Sequence, residues 1–165
     1  MAIIPIRRAG DPVLREKARR VRTIDSSIHK LIEDMWETMY DAPGVGLAAP
    51  QIGVSLRVVV IDVGNGVPPI ALVNPEIVKR SGERTVDEGC LSVPGYRGEI
   101  TRSLKVVAQG IDPVTGKEVR VRSENDLFAE ALEHEIDHVN GILYIDYLAS
   151  PDALIPMGDA PEVNG

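Results

Sequence analysis

The sequence predicts an α+β fold, with mostly antiparallel strands packed around a central helix that carries His134-Glu135-Ile136-Asp137-His138, and a second helix near the N-terminus. Three observations predict it. Apolar residues recur at helical spacing over residues 26–40 and about 124–140. Branched runs at 56–61 and 70–73 read as strands. Helices and strands do not alternate as βαβ units, which argues for antiparallel rather than parallel pairing.

Taken in order, residues 1–8 lack a long apolar core after a basic start, so they do not form a secretory signal. The first helix presents Ile28, Leu31, Ile32, Met35 and Met39 as its apolar face; His29 falls on the polar side and reads as an ordinary surface imidazole. Residues 44–53, Gly-Val-Gly-Leu-Ala-Ala-Pro-Gln-Ile-Gly, describe a backbone that turns tightly and lies close to something. No Lys-Ser/Thr follows its glycines, so it is not a phosphate loop; a plain turn after a helix is the competing reading. Residues 104–111 and 117–122 flank Asp112-Pro113-Val114-Thr115-Gly116, a hairpin signal. Ser123, with Asp126 three residues on, reads as the N-cap of the second helix, and Gly141 as its stop. Residues 1–150 form the expected single domain. A loosely ordered tail, 151–165, follows; its Pro151, Pro156, Gly158, Pro161 and Gly165 disfavour a long C-terminal helix.

With 165 residues and 44% hydrophobic content, the chain can bury a real core. A net charge of −7 and a pI near 5.0 argue against broad binding to nucleic acid or acidic membranes. The cluster Arg15, Lys17, Arg19, Arg20 and Arg22 is the candidate for a local basic patch, against the alternative of a solvated helix face. A single cysteine excludes an internal disulfide and fits a reducing compartment. No apolar run approaches a membrane span, so the cytoplasm is the expected location.

H-E-x-x-H on a helix places two imidazoles one turn apart on the same face with a carboxylate beside them. Leu127, Ala131, His134 and His138 make one stripe, running from apolar residues into the imidazoles. The structural alternative makes His134 a core imidazole and His138 a charge partner of the helix C-terminus. Catalytic zinc-type centres take three protein ligands and keep one position open. A metzincin would supply a third histidine where this chain has Tyr144, which leaves a carboxylate or Cys90. Cys90 lies in Asp87-Glu88-Gly89-Cys90-Leu91-Ser92; a thiolate there completes a His2Cys set, and Glu88 competes on spacing alone.

Three segments, Gly44-Val45-Gly46-Leu47-Ala48-Ala49-Pro50-Gln51, Glu88-Gly89-Cys90-Leu91-Ser92 and His134-Glu135-Ile136-Asp137-His138, together resemble the peptide deformylase family. The resemblance extends from Ile4 to Leu148. It implies metal ligands Cys90, His134 and His138, a catalytic carboxylate at Glu135, and oxyanion donors at the Gln51 amide and the Leu91 N–H. It also implies substrate contacts at Val45, Gly46, Val86, Glu88, Gly89, Leu127 and Ala131, with Val45, Val86, Leu127 and Ala131 lining a methionine pocket whose inner wall is His134. The implied reaction removes the formyl group from the N-terminal formyl-methionine of new polypeptides, releasing formate. One divalent metal ion is implied, Fe(II) in the cell, with zinc, nickel or cobalt as substitutes. The partners implied are formyl-methionyl nascent chains and a transient contact with the ribosome; direct nucleic-acid readout and membrane contact are not. Two positions depart from the family pattern: Glu133 where glutamine is common and Asp126 where glycine is common. The rival functions are a metallopeptidase, which would use the same His pair and Glu135 on internal peptide bonds, and a non-catalytic metal or nascent-chain binder.

Overall fold

The computed structural model describes residues 2–157. Helix α1 spans Ser26–Asp41, β1 Gly46–Ala48, β2 Val58–Ile61, β3 Ile70–Cys90, β4 Val93–Ile111, β5 Glu118–Glu124 and α2 Leu127–Val139, and β6 is the pair Ile155–Pro156. The strands form one antiparallel sheet in the order β1-β2-β3-β4-β5, and β6 pairs with β4.

Asp25 caps α1 by accepting from the Ser27 and Ile28 N–H groups, which fixes the start of the helix. Its Ile28, Ile32, Met35 and Met39 pack on Val58, Val60 and Val73, while Val59 and Ile61 of β2 turn the other way onto α2. Strand β2 is therefore buried on both faces. That explains its unbroken run of branched residues, where a half-exposed strand would alternate.

Helix α2 is buried from Phe128 to Val139, inside the curl of the sheet. Its N-cap is Asp126, which accepts from the Ala129 N–H; Ser123, the expected cap, instead donates its hydroxyl to Asp126. Two facts shift the boundary. Strand β5 continues to Glu124, and Asn125 has φ 51°, a left-handed turn that ends the strand before the helix can begin. Asp126 thus acquires a role its family counterpart glycine could fill only weakly. Gly141 ends the helix as expected, at φ 76°.

The long hairpin of β3 and β4 exceeds the short strands expected at 70–73 and 104–111. Its outer length, with Glu76, Lys79, Arg80, Ser81, Glu83 and Arg84, faces solvent too often to show apolar alternation. Residues 16–25 are not helical, so the basic cluster there is no helix face; Arg19 instead bridges in parallel to Leu56. The described part of the tail carries regular structure. Pro151–Ala153 form a 3-10 turn, β6 pairs with Tyr96 and Arg97, and Leu154 packs into a cluster with Cys90, Val93, Ile100 and Tyr144. Gly158, Pro161 and Gly165 lie outside the described residues. No helix among the described residues is long and apolar enough to cross a membrane.

Candidate active site

The site forms where the tip of one hairpin meets the central helix. Cys90 is the last residue of β3, Leu91 and Ser92 make the two-residue turn, and Cys90 pairs with Val93. His134 and His138, one turn apart on α2, face it. His138 Nε2 lies 3.2 Å from His134 Nε2 and 3.4 Å from Cys90 Sγ, and the three donor atoms all lie within 4.8 Å of one another. Tetrahedral coordination with metal–N near 2.05 Å and metal–S near 2.3 Å requires N···N of about 3.3 Å and N···S of about 3.6 Å. The His–His and His–Cys spacings therefore suit a divalent ion. Tyr144, at the metzincin position, packs beside Cys90, and His29 is exposed on α1.

Glu88, the competing ligand, points elsewhere. Its Oε2 meets His134 Nδ1 at 2.6 Å, and Arg102 grips both oxygens, Nε to Oε1 at 3.0 Å and Nη2 to Oε2 at 2.6 Å. The Glu88 side chain is fully buried behind the His134 ring and orients it, so a substrate contact at this position would fall to its backbone. A proton held on Nδ1 leaves the Nε2 lone pair for a metal. With no metal bound, burial alone would raise the Glu88 pKa, but a protonated His134 and Arg102 overcome it and hold the carboxyl at about 2.

Glu135 is the opposite case. It is fully buried, neither oxygen has a hydrogen-bond partner among the described residues, and burial pushes its pKa up to about 8 against the pull of His134. An unsatisfied buried carboxylate costs stability and marks a group kept for chemistry. Gly46 makes room for it. A Cβ at Gly46 would lie 2.5 Å from Glu135 Oε2. Gly46→Ala should therefore displace the carboxylate and lower kcat by about 100-fold, with metal content unchanged when measured on the same sample.

The Gln51 amide is oriented by its own hydrogen bonds. Oε1 accepts from the Ala48 N–H at 2.9 Å, so Nε2 must face the hairpin tip, where it donates to Ser92 Oγ at 3.1 Å and approaches Cys90 Sγ at 3.8 Å. Ser92 N–H also donates to that sulfur, at 3.4 Å. Leu91 stands over Gly44, where a Cβ would meet its Cδ1 at 2.7 Å. The glycines and small residues of 44–51 thus let this loop lie against both the hairpin tip and α2.

Of the expected substrate contacts, Gly46 adjoins Glu135, Gly89 precedes Cys90 on β3, and Val86 packs with the Cys90 cluster. Ala131 is buried on α2, and Leu127 and Val45 are half-buried. Sequence reasoning missed Arg102, Asp137, Tyr147 and Ser92. Arg102 is 4% exposed and also donates to Asp137 at 2.7 Å; Asp137 accepts from Tyr147 OH at 2.8 Å, and the Tyr147 ring stacks on the guanidinium at 5.0 Å. The signal was present. Arg102 shares strand parity with Ile100, Val106 and Ala108, and a cation at an inward position needs a buried carboxylate. Glu133 takes an ion pair with Arg80 and two hydrogen bonds from Ser103, which accounts for glutamate at that departure.

The family model for polypeptide deformylase matches residues 3–153. The chain belongs to the polypeptide deformylase family. Among relatives of this deformylase chain, the peptide deformylase of Halothermothrix orenii is 53% identical over 146 residues, covering 88% of this chain and 94% of the other. The crystal structure of a peptide deformylase from Legionella pneumophila superposes with a TM-score of 0.87 at 51% identity, covering 92% and 89% of the two chains. That of Synechococcus elongatus, in complex with actinonin, gives 0.85 at 37% identity over 91% and 81%. The deformylase fold is thus shared across nearly all of the described chain.

Proposed function

We propose that residues 1–150 hydrolyse the formamide of N-terminal formyl-methionine on newly made polypeptides, releasing formate and a free amine. The observation that carries this reading is the buried Cys90–His134–His138 donor cluster with the Glu135 carboxylate beside it, unpartnered among the described residues, in a chain of the polypeptide deformylase family.

Cys90, His134 and His138 would hold a divalent metal, which when bound would supply an acidified water and Lewis acidity for attack on the formyl group. Fe(II) is the proposed ion in the cell, with nickel, cobalt or zinc able to occupy the same donors. Glu135 takes a proton from the attacking water at a carboxylate oxygen as the water oxygen bonds to the formyl carbon. It returns that proton to the amine nitrogen as the C–N bond breaks. Gln51 Nε2 and the Leu91 N–H donate to the formyl oxygen as charge builds there. Val45, Val86, Leu127 and Ala131 hold the methionine side chain against His134, and the backbone at Gly46 and Gly89 holds the peptide. Apolar discrimination of this kind is worth about 1–3 kcal/mol per methylene, so other unbranched first residues should be processed more slowly rather than refused. The setting is the cytoplasm, where a transient contact with the ribosome would bring nascent chains to the site.

Gln51→Glu keeps an acceptor for the Ala48 N–H but replaces the donor with a carboxylate. It should lower kcat by about 10²–10³-fold with a small change in KM, read from initial rates. The reaction class is tested by incubating formyl-Met-Ala and unformylated Met-Ala with the protein. Formate from the first and no cleavage of either Met-Ala bond is expected; cleavage of the peptide bond would instead indicate a metallopeptidase.

A further inference from the structure

A second polar pocket, of about 440 Å3, lies on the opposite side of α2 from the metal-ligand cluster, lined in part by Lys17, Arg20, Arg57, Glu76, Arg80 and Asn140. Ile136 and Asn140 on its wall follow His134 and His138 by two residues each, which is about 200° round a helix. Four cationic side chains meet one carboxylate there, in a chain whose net charge is −7. Arg80 is engaged by Glu133. Lys17, Arg20 and Arg57 form no ion pair among the described residues.

Arg57 is the built part of this pocket. Its guanidinium donates to Val139 O at 3.0 Å, Asn140 Oδ1 at 2.9 Å and Pro75 O at 3.5 Å, all neutral acceptors. These contacts fix its orientation without a carboxylate hydrogen bond, and Glu76, across the pocket, offsets its charge only in part. Arg20 is brought beside it because Arg19 bridges to Leu56 and the Arg57 N–H donates to Arg19 O at 3.0 Å. Burial and then the Arg20 charge depress the Arg57 pKa, and Glu76 offsets this only in part, a mark of two like charges held close. Such an arrangement is unfavourable alone and becomes favourable when an anion sits between the cations. The groove on the outer face of the sheet differs: its Lys105 pairs with Glu124, and its cations stand on exposed strand positions.

We propose that the Lys17–Arg20–Arg57 pocket is an anion site that takes a phosphate group, carried either by a small phosphorylated molecule or by the backbone of an RNA strand. Arg57 supplies a fixed fork suited to two phosphate oxygens, and Lys17 and Arg20 close over it as mobile charges. An occupant there leaves the metal-ligand face of α2 untouched.

The test titrates metal-loaded protein at low salt with inorganic pyrophosphate and, separately, with a short single-stranded RNA. Arg20→Glu, Lys17→Glu and the milder Arg20→Ser are compared with Lys79→Glu on the outer sheet face. At least one probe should bind the unaltered protein. Arg20→Glu and Lys17→Glu should weaken that binding by about tenfold or more, Arg20→Ser by less, and Lys79→Glu by under about twofold. Formate release from formyl-Met-Ala should be unchanged in all four. Pyrophosphate binding assigns a small phosphorylated ligand. Binding of RNA alone, with a log–log salt slope of about −2 for three phosphates, assigns a strand. Binding of neither probe, or a loss in Arg20→Glu no greater than in Lys79→Glu, overturns the proposal.

Discussion

Glu135→Gln is expected to lose about 10²–10⁴-fold in kcat on formyl-Met-Ala while retaining its metal. The carboxylate lies between the two histidines in sequence, yet it is outside the Cys90–His134–His138 cluster, and both its oxygens are buried without a hydrogen-bond partner among the described residues. The role proposed for it is to carry a proton, and an amide of the same shape cannot. The substitution should also separate activity from stability. Burial raises the Glu135 pKa from 4.5 to about 8, so the folded metal-free chain prefers this group protonated. The stability contributed by that protonated group is fully present below pH 4.5 and is lost as pH rises through 8. The amide never ionises. The metal-free Glu135→Gln variant should therefore melt at a higher temperature than the unaltered metal-free chain at pH 9, and at nearly the same temperature at pH 5. Unchanged formate release would remove Glu135 from the mechanism.

Arg102→Met should be the most destabilising substitution around the site, by about 3–5 kcal/mol, because it leaves Glu88 and Asp137 as buried carboxylates without their cation. For a chain of this size that is a fall in Tm of roughly 10 °C or more. A second consequence is specific to the chemistry. With Arg102 gone, Glu88 loses the grip that fixes it against His134 Nδ1, and metal affinity should fall by about 10–100-fold, measured by competition with a chelator. Adding Glu88→Gln to Arg102→Met removes one of the two orphaned charges and should recover part of the lost stability, but not the metal affinity. Equal recovery of both would show that Arg102 acts only on the fold.

The chemistry-bearing residues were legible in the sequence because short motifs impose them: i, i+4 spacing puts His134 and His138 on one face whatever surrounds them. The choice between Cys90 and Glu88 was not legible from spacing, since both precede the same turn; the hairpin register and the grip of Arg102 on Glu88 settle which way each points. The two helices were readable from apolar spacing and end signals. The length of the β3–β4 hairpin was not, because a strand exposed over most of its length carries polar residues on both faces and looks like loop. The cap at Asp126 was misread as Ser123 because both residues fit a capping pattern, and only the left-handed turn at Asn125 separates them. Arg102 was overlooked for a related reason: its burial becomes visible only once the strand that carries it is known.

In the proposed reaction, deformylation by this chain requires one metal ion held by Cys90, His134 and His138. Formate release from formyl-Met-Ala, measured against bound metal in protein purified without oxygen, tests this most directly. The expected result is a rate that rises in proportion to metal up to one ion per chain, vanishes on chelation and returns when Fe(II) is restored. Formate release undiminished in metal-stripped protein, or its absence at one ion per chain, would contradict it.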